Sequence, residues 1–121
     1  MYKTQIFNLI VNKVALGCEV SPEDILGTSH RSDIVDARCM AYKIAMKLED
    51  FTATDIAVIS RKGTRKSVSE LVATFQVRWD RTKNFRRIYK TVTKELIEEL
   101  GIEEKEESKQ TKSQYATPTL A

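Results

Sequence analysis

Four cations and two hydroxyls lie close together in the middle of the chain, in the stretch RKGTRKS at residues 61–67. Guanidinium and ammonium groups bind phosphate oxygens, and an arginine can also make a bidentate contact with the edge of a guanine. Serine and threonine hydroxyls bind base edges or phosphates. Residues of these types at this density favour contact with a nucleic acid backbone, although a solvated surface turn has the same composition.

Two helical patterns flank this stretch. Thr52 followed by Asp55 has the spacing of a capping box, which predicts a short helix that continues through Ile59. After the basic residues, five apolar residues fall on one helical stripe and predict a helix over residues 65–78: Val68, Leu71, Val72, Phe75 and Trp79. A short helix, a turn with a glycine and an amphipathic helix form a helix-turn-helix, whose second helix enters the major groove by its N-terminal end.

In this arrangement the apolar stripe holds the second helix against the core, and its first residues point outward. We therefore expect groove contacts from four residues at that end: Thr64, Arg65, Lys66 and Ser69. We expect phosphate contacts from the turn before it, through Arg61 and Lys62. Uncapped N–H groups at the positive end of the helix dipole add an expected phosphate site at residues 64–66.

The remaining apolar residues up to about residue 100 also recur at helical spacing. They predict helices over about 3–16, 32–50 and 81–100, and a single turn of helix in SPEDILG at residues 21–27, with Ser21 as N-cap and Pro22 at the first helical position. Gly101 is expected to end the last helix. We predict an all-α fold: one compact multi-helix domain over residues 1–100, followed by a disordered acidic tail over residues 101–121, which has few large apolar residues.

The formal net charge of +3 conceals three blocks of different sign. Residues 1–29 carry two cations and three anions, residues 30–94 carry fifteen and seven, and residues 95–121 carry three and seven. The basic middle block favours a polyanionic partner. We interpret the acidic tail as solubilising, with screening of the basic face or binding of a protein partner as the alternatives.

A second basic cluster lies on the predicted last helix and just before it. Trp79 stands between Arg78 and Arg81, and KNFRRIYK follows at residues 83–90. We interpret the apolar residues of this segment, Phe85, Ile88 and Tyr89, as core and its cations as a solvated face. An extended contact with a nucleic acid backbone is the alternative.

The side chains needed for catalysis or for a metal site are sparse. His30 is the one histidine, and Cys18 and Cys39 lack the CxxC spacing of a zinc site, so we expect two reduced thiols that pack as small hydrophobes, with no metal and no cofactor. Arg65 stands where a nucleotide-binding P-loop requires a glycine. We expect no enzyme. The chain lacks an apolar run of about 18–20 residues and a signal peptide, so we expect a cytoplasmic protein without a membrane contact.

Three segments carry a resemblance to a known family: VSPEDILG at residues 20–27, ARCMAYKIAMKLED at 37–50 and TATDIAVISRKGTRKSV at 52–68. In order and pattern they are similar to the C-terminal DNA-binding domain of the bacterial replication initiator DnaA, a helix-turn-helix domain of the Trp-repressor-like type. The similarity extends over about residues 6–79 and lies in pattern more than in identity.

The resemblance implies roles for four residues. Arg31, in the loop before the long helix, would enter a minor groove, whereas Arg38 and Thr52 would touch phosphates. The family's base-reading segment falls on residues 63–67, where Ser67 keeps a hydroxyl. The implied function is that of a stand-alone DnaA-like protein that binds double-stranded DNA in replication initiation, in its regulation or in transcription. The alternative is a small helical adaptor that binds a protein through the same surface or through its acidic tail.

Overall fold

The computed structural model describes residues 3–61 and 63–101. Within these ranges the chain forms seven helices: α1 (Lys3–Cys18), α2 (Pro22–Leu26), α3 (Ser32–Glu49), α4 (Ala53–Ser60), α5 (Arg65–Ala73), α6 (Phe75–Arg81) and α7 (Lys83–Leu100). The regular structure of the described residues is thus entirely α-helical, as the apolar spacing predicts. Lys62 and the predicted disordered tail after Gly101 lie outside the described residues.

Three of the predicted helix ends are confirmed by their cap geometry. The Ser21 hydroxyl accepts a hydrogen bond from the Asp24 N–H at 3.0 Å, which caps the single turn of α2. Thr52 and Asp55 form the predicted capping box at the start of α4. Gly101 ends α7 in the left-handed conformation, with φ of +67°. Short-range signals therefore determine these boundaries.

The core lies around α3, which packs against α1, α2, α5, α6 and α7. The side chains that fill it are fully buried, and they include Phe7, Ile10 and Val14 from α1, Met40 and Ile44 from α3, and Leu96 from α7. Burial of each such side chain contributes about 1.5–3 kcal/mol relative to exposure. Val68 of α5 belongs to the same cluster, so α5 is anchored to the core and does not project from it.

The helix predicted over residues 65–78 is wrong in one respect, because it is broken at Thr74. α5 ends at Ala73 and α6 begins at Phe75. The Thr74 hydroxyl donates to the Leu71 carbonyl at 2.6 Å and accepts from Arg78 Nε at 2.9 Å, so one side chain serves both helices. The break lets Phe75 turn toward α7, where its ring contacts Phe85 and Tyr89 at centroid distances of 5.5 and 5.2 Å.

Bilayer crossing requires about 20 predominantly apolar residues in one helix. Among the residues that the structure describes, no helix meets this requirement.

Candidate nucleic-acid interface

The helix-turn-helix consists of α4 and α5, which pack against each other on one side of α3. Arg61 ends α4 in the left-handed region with φ of 59°, and its N–H donates to the Ala57 carbonyl at 3.1 Å. Gly63 also has a positive φ, of 65°. Two left-handed residues therefore reverse the chain within four positions, and this tight turn exposes the Arg61 side chain.

The start of α5 is capped, contrary to the expectation of uncapped N–H groups. Thr64 Oγ1 accepts from the Ser67 N–H at 3.2 Å, and Ser67 Oγ accepts from the Thr64 N–H at 2.8 Å, which makes a capping box. Ser67 Oγ also donates to the Thr64 carbonyl at 2.8 Å. The two hydroxyls expected to contact DNA thus hold the helix end together.

Arg65 and Lys66 are the cations that this cap presents. Both are exposed, as is Ser69, whereas Val68 in the same part of the helix is 2 % exposed. Among the described residues, no carboxylate lies within ion-pair distance of Arg65 or Lys66. The outward orientation predicted for these residues is therefore observed, and their charge is not compensated by a described partner.

Arg38 lies beneath the loop that precedes α3. It is half-buried, and its guanidinium donates to three carbonyls: Ile25 O at 2.6 Å, Ser29 O at 3.0 Å and Asp24 O at 3.0 Å. Three of its five N–H donors are thus used to fasten α2 and its loop to α3. The resemblance implied a phosphate contact, and in this geometry Arg38 positions the loop that carries Arg31.

Arg31 and Thr52 also have partners. The exposed Arg31 guanidinium pairs with Asp33 at 2.9 Å, an interaction that is weak in water. Thr52 Oγ1 accepts from the Asp55 N–H at 3.0 Å as the N-cap of α4, and it remains exposed. The Arg31 guanidinium can exchange the Asp33 carboxylate for a phosphate. Thr52, in contrast, uses its hydroxyl to cap α4.

A cavity of about 420 Å³ connects the loop before α3 to the helix-turn-helix. Gly27, Thr28 and His30 line it on one side, and Gly63 and Ser67 line it on the other. The two segments that the sequence predicts to contact DNA are therefore neighbours on the surface. The loop before Arg31 and the turn residue Gly63 lie on the same side of the molecule as this cavity.

Lys43 is a basic residue near α5 that the sequence reasoning missed. It lines a cavity of about 400 Å³ together with Ser69, Val72 and Gln76, and its Nζ lies 5.4 Å from the centre of the Phe75 ring. The neighbourhood of Lys43 is created by the break at Thr74. Nothing in its local pattern separates it from other lysines on helices, so no sequence signal was available.

Metal and thiol chemistry have little support in the described part of the chain. Its His, Cys, Asp and Glu residues form no cluster able to hold a metal ion. Both cysteines are unpaired thiols, Cys39 is buried, and burial raises the pKa of Cys18 to about 11. Such thiols are protonated at neutral pH and pack as small apolar groups, in agreement with the sequence prediction.

Compared with protein-family models, with curated proteins and with solved structures, the chain gives no match.

Proposed function

We propose that this protein binds double-stranded DNA, with the N-terminal end of α5 in the major groove. The observation that carries the proposal is the exposed pair Arg65 and Lys66, which extends from a capped helix end that Val68 anchors to the core. A recognition helix needs both properties, because only a fixed helix can present a side chain to a base edge in a reproducible geometry. The arginine suits guanine, and the lysine suits a phosphate.

Phosphate contacts from the turn supply most of the affinity in this mechanism. Arg61 leaves the turn in an exposed position, and Lys62 follows it in sequence. Arg31 lies on the adjoining loop, and the resemblance implies that it enters a neighbouring minor groove. If about five phosphates are neutralised, the logarithm of affinity against the logarithm of salt concentration should have a slope of about −4 to −5.

The resemblance to the DnaA C-terminal domain supports a role at DNA, in replication initiation, in its regulation or in transcription. The same resemblance supports a cytoplasmic protein, since that is where bacterial chromosomal DNA lies. Capping by Thr64 and Ser67 moves base reading onto Arg65, Lys66 and Ser69. The sequence that this protein prefers would then differ from the family's target.

The decisive experiment changes Arg65 and Lys66 together to alanine and measures binding to random-sequence duplex over a range of salt concentrations. We expect the slope to become less steep by about 1 to 2, because one or two phosphate contacts are lost, and affinity at low salt to fall at least about tenfold. Lys109→Ala combined with Lys112→Ala removes the same charge elsewhere in the chain and serves as the control. Equal binding by the wild type and the Arg65/Lys66 variant would refute the proposed site.

A protein-binding adaptor is the second candidate, and one observation favours it. Val58 on α4 is 69 % exposed, and Val77 on α6 is 63 % exposed. An adaptor would use such residues as apolar contacts. Absence of duplex binding by the wild-type protein at low salt would favour the adaptor over DNA binding.

A further inference from the structure

Four exposed cations form a straight row along α7, which we call the α7 row: Lys83, Arg87, Lys90 and Lys94. They are separated by four, three and four positions, so they share one face of the helix. The row is about 16 Å long at 1.5 Å per residue. The opposite face of α7 is buried in the core through Phe85, Val92 and Leu96.

None of the carboxylates of α7 pairs with this row. Glu95 and Glu99 point toward α1, and Glu98 lies outside ion-pair distance of the row. On the side of α7 that faces α1, Lys13 Nζ lies 3.0 Å from Glu99 Oε1 and 4.0 Å from Glu95 Oε1. Glu98 lines the same groove as Lys90 and Lys94 but lies outside ion-pair distance of both. Within the described residues, no carboxylate therefore forms an ion pair with the α7 row.

A belt of lysines and aromatic rings connects the row to α5. Ser69 and Lys43 line one cavity, and Lys43 Nζ lies over the Phe75 ring. The Phe75 ring contacts the Trp79 ring at a centroid distance of 5.8 Å, and Lys90 Nζ lies 5.9 Å from the Trp79 ring centre. The exposed side of α5 and the α7 row are thus two ends of one continuous surface.

We propose that the α7 row is a second phosphate-binding element, which holds the backbone of the same DNA duplex beside the site occupied by α5. The placement of both contacts on one duplex rests on the proposed function. Each strand of B-DNA carries one charge per about 3.4 Å of helix axis, so a duplex offers at least as many phosphates over this length as the row has cations. Flexible lysines adapt to such an array without a fixed register.

A duplex fits this row better than the other polyanions do. A helix that binds an anionic membrane inserts an apolar face among the lipids, and the apolar face of α7 is already used by the core. The groove beside Lys90 and Lys94 offers an acidic protein an apolar contact at Trp79, but the row continues beyond this groove to Lys83 and Arg87. A nucleic acid backbone needs only a line of cations, which is what α7 offers, and it continues naturally from α5.

The test compares three variants of the full chain in salt titrations with duplex. Lys83→Gln, Lys90→Gln and Lys94→Gln together remove three of the four positive charges of the row. Thr4→Glu, Asn8→Glu and Asn12→Glu together lower the net charge equally, on an exposed side of α1. The third variant is Arg65→Ala with Lys66→Ala. We expect the row variant to flatten the salt slope by about 2 to 3 units, at about 0.9 per phosphate, and the α1 variant to leave it unchanged.

The outcomes separate this inference from the proposed function. A row variant with the wild-type slope, or with no larger change than the α1 variant, would overturn the inference. A loss with the row variant and none with the Arg65/Lys66 variant would keep the α7 contact and refute the site on α5. Absence of duplex binding by the wild type would refute both. Binding to phosphatidylserine vesicles that the row variant loses, with an unchanged slope on DNA, would assign the row to membranes. Circular dichroism and thermal unfolding of each variant verify that it is folded.

Discussion

Gly63 is the turn residue at which any side chain would disturb the start of α5. Its φ is +65°, and a Cβ there would lie 2.3 Å from Ser67 Oγ, the atom that accepts the Thr64 N–H. We expect Gly63→Ala to lower the free energy of unfolding by about 2–3 kcal/mol, from about 1–2 kcal/mol of left-handed strain and about 1 kcal/mol for the lost cap. Urea unfolding measures this change.

Gly101 provides the matched control for Gly63. Its φ is +67°, and a Cβ built there would meet nothing within 4 Å. Gly101→Ala should therefore cost only backbone strain, about 1–2 kcal/mol. In a Ser67→Ala background the cost of Gly63→Ala should shrink toward that value, because the clashing oxygen is gone. Equal costs at the two glycines in the otherwise wild-type chain would contradict the role given to Ser67.

At the scale of elements, α2 depends on Arg38. Its five residues are too few for a helix that is stable alone, and the Arg38 guanidinium holds two of its carbonyls and one from the following loop. We expect Arg38→Lys to destabilise the protein by about 2–3 kcal/mol, because an ammonium cannot reproduce the fork and hydrogen bonds from charged groups are worth about 1.5–3 kcal/mol. Amide exchange at Gly27 should become faster.

The same substitution tests the phosphate role that the resemblance implies for Arg38. A lysine keeps the charge, so a residue that acts mainly on phosphate would tolerate the change, with unaltered stability and unaltered exchange at Gly27. Arg31→Lys is the control, because the exposed pair of Arg31 with Asp33 is worth at most about 1 kcal/mol. Its stability should stay close to that of the wild type.

Elements could be predicted where the deciding residues lie within one helical turn of each other. The caps at Ser21 and Thr52 and the end at Gly101 are of this kind. The break at Thr74 is not, because no glycine or proline marks it and because its cause is the packing of Phe75 against α7. An apolar stripe continues through such a break, so periodicity alone extends one helix over both pieces.

In the candidate site, too, the features that depend on nearby residues could be predicted from the sequence, and those that depend on distant residues could not. The outward positions of Arg65, Lys66 and Ser69 follow from the stripe that fixes their helix. The Thr64–Ser67 capping box had a local signal, two hydroxyls three positions apart, but a basic turn was the simpler interpretation of those residues. The tie made by Arg38 had no such signal, since its carbonyl partners lie nine to fourteen positions away in sequence and are brought together only by the tertiary fold.

At the scale of the whole molecule, ion pairs connect the first residue of α1 to α4 and its second half to α7. Lys3 Nζ lies 2.8 Å from Asp55 Oδ2 of α4, and Lys13 Nζ lies 3.0 Å from Glu99 Oε1 of α7. The Lys3 ammonium, followed by the Thr52 backbone N–H, holds the pKa of Asp55 below its ordinary value of 3.8. The hydrogen bond to Glu99 raises the pKa of Lys13 above 10.5.

These shifts predict a stability that is flat near neutral pH and falls on either side. The Asp55 contribution is present above pH 3.8 and is lost as pH falls through the lowered pKa of the folded state. The Lys13 contribution is present below pH 10.5 and is lost as pH rises through its raised pKa. We expect Asp55→Asn, which keeps the cap oxygen, to flatten the acid limb alone, and Lys13→Met to flatten the alkaline limb alone. Urea midpoints measured across the pH range provide the comparison, and a shared response of both limbs to either change would contradict it.

The break at Thr74 also limits the number of base pairs that α5 could contact under the proposed function. Its nine residues measure about 13 Å, and only the first turn would face base edges, over about four base pairs. A sequence of four base pairs recurs by chance about once in 250 base pairs. This is far too frequent to specify one binding site among the competing sites of a genome. Such a helix suits a DNA region that contains several short recognition sequences close together, each bound by its own copy of the chain.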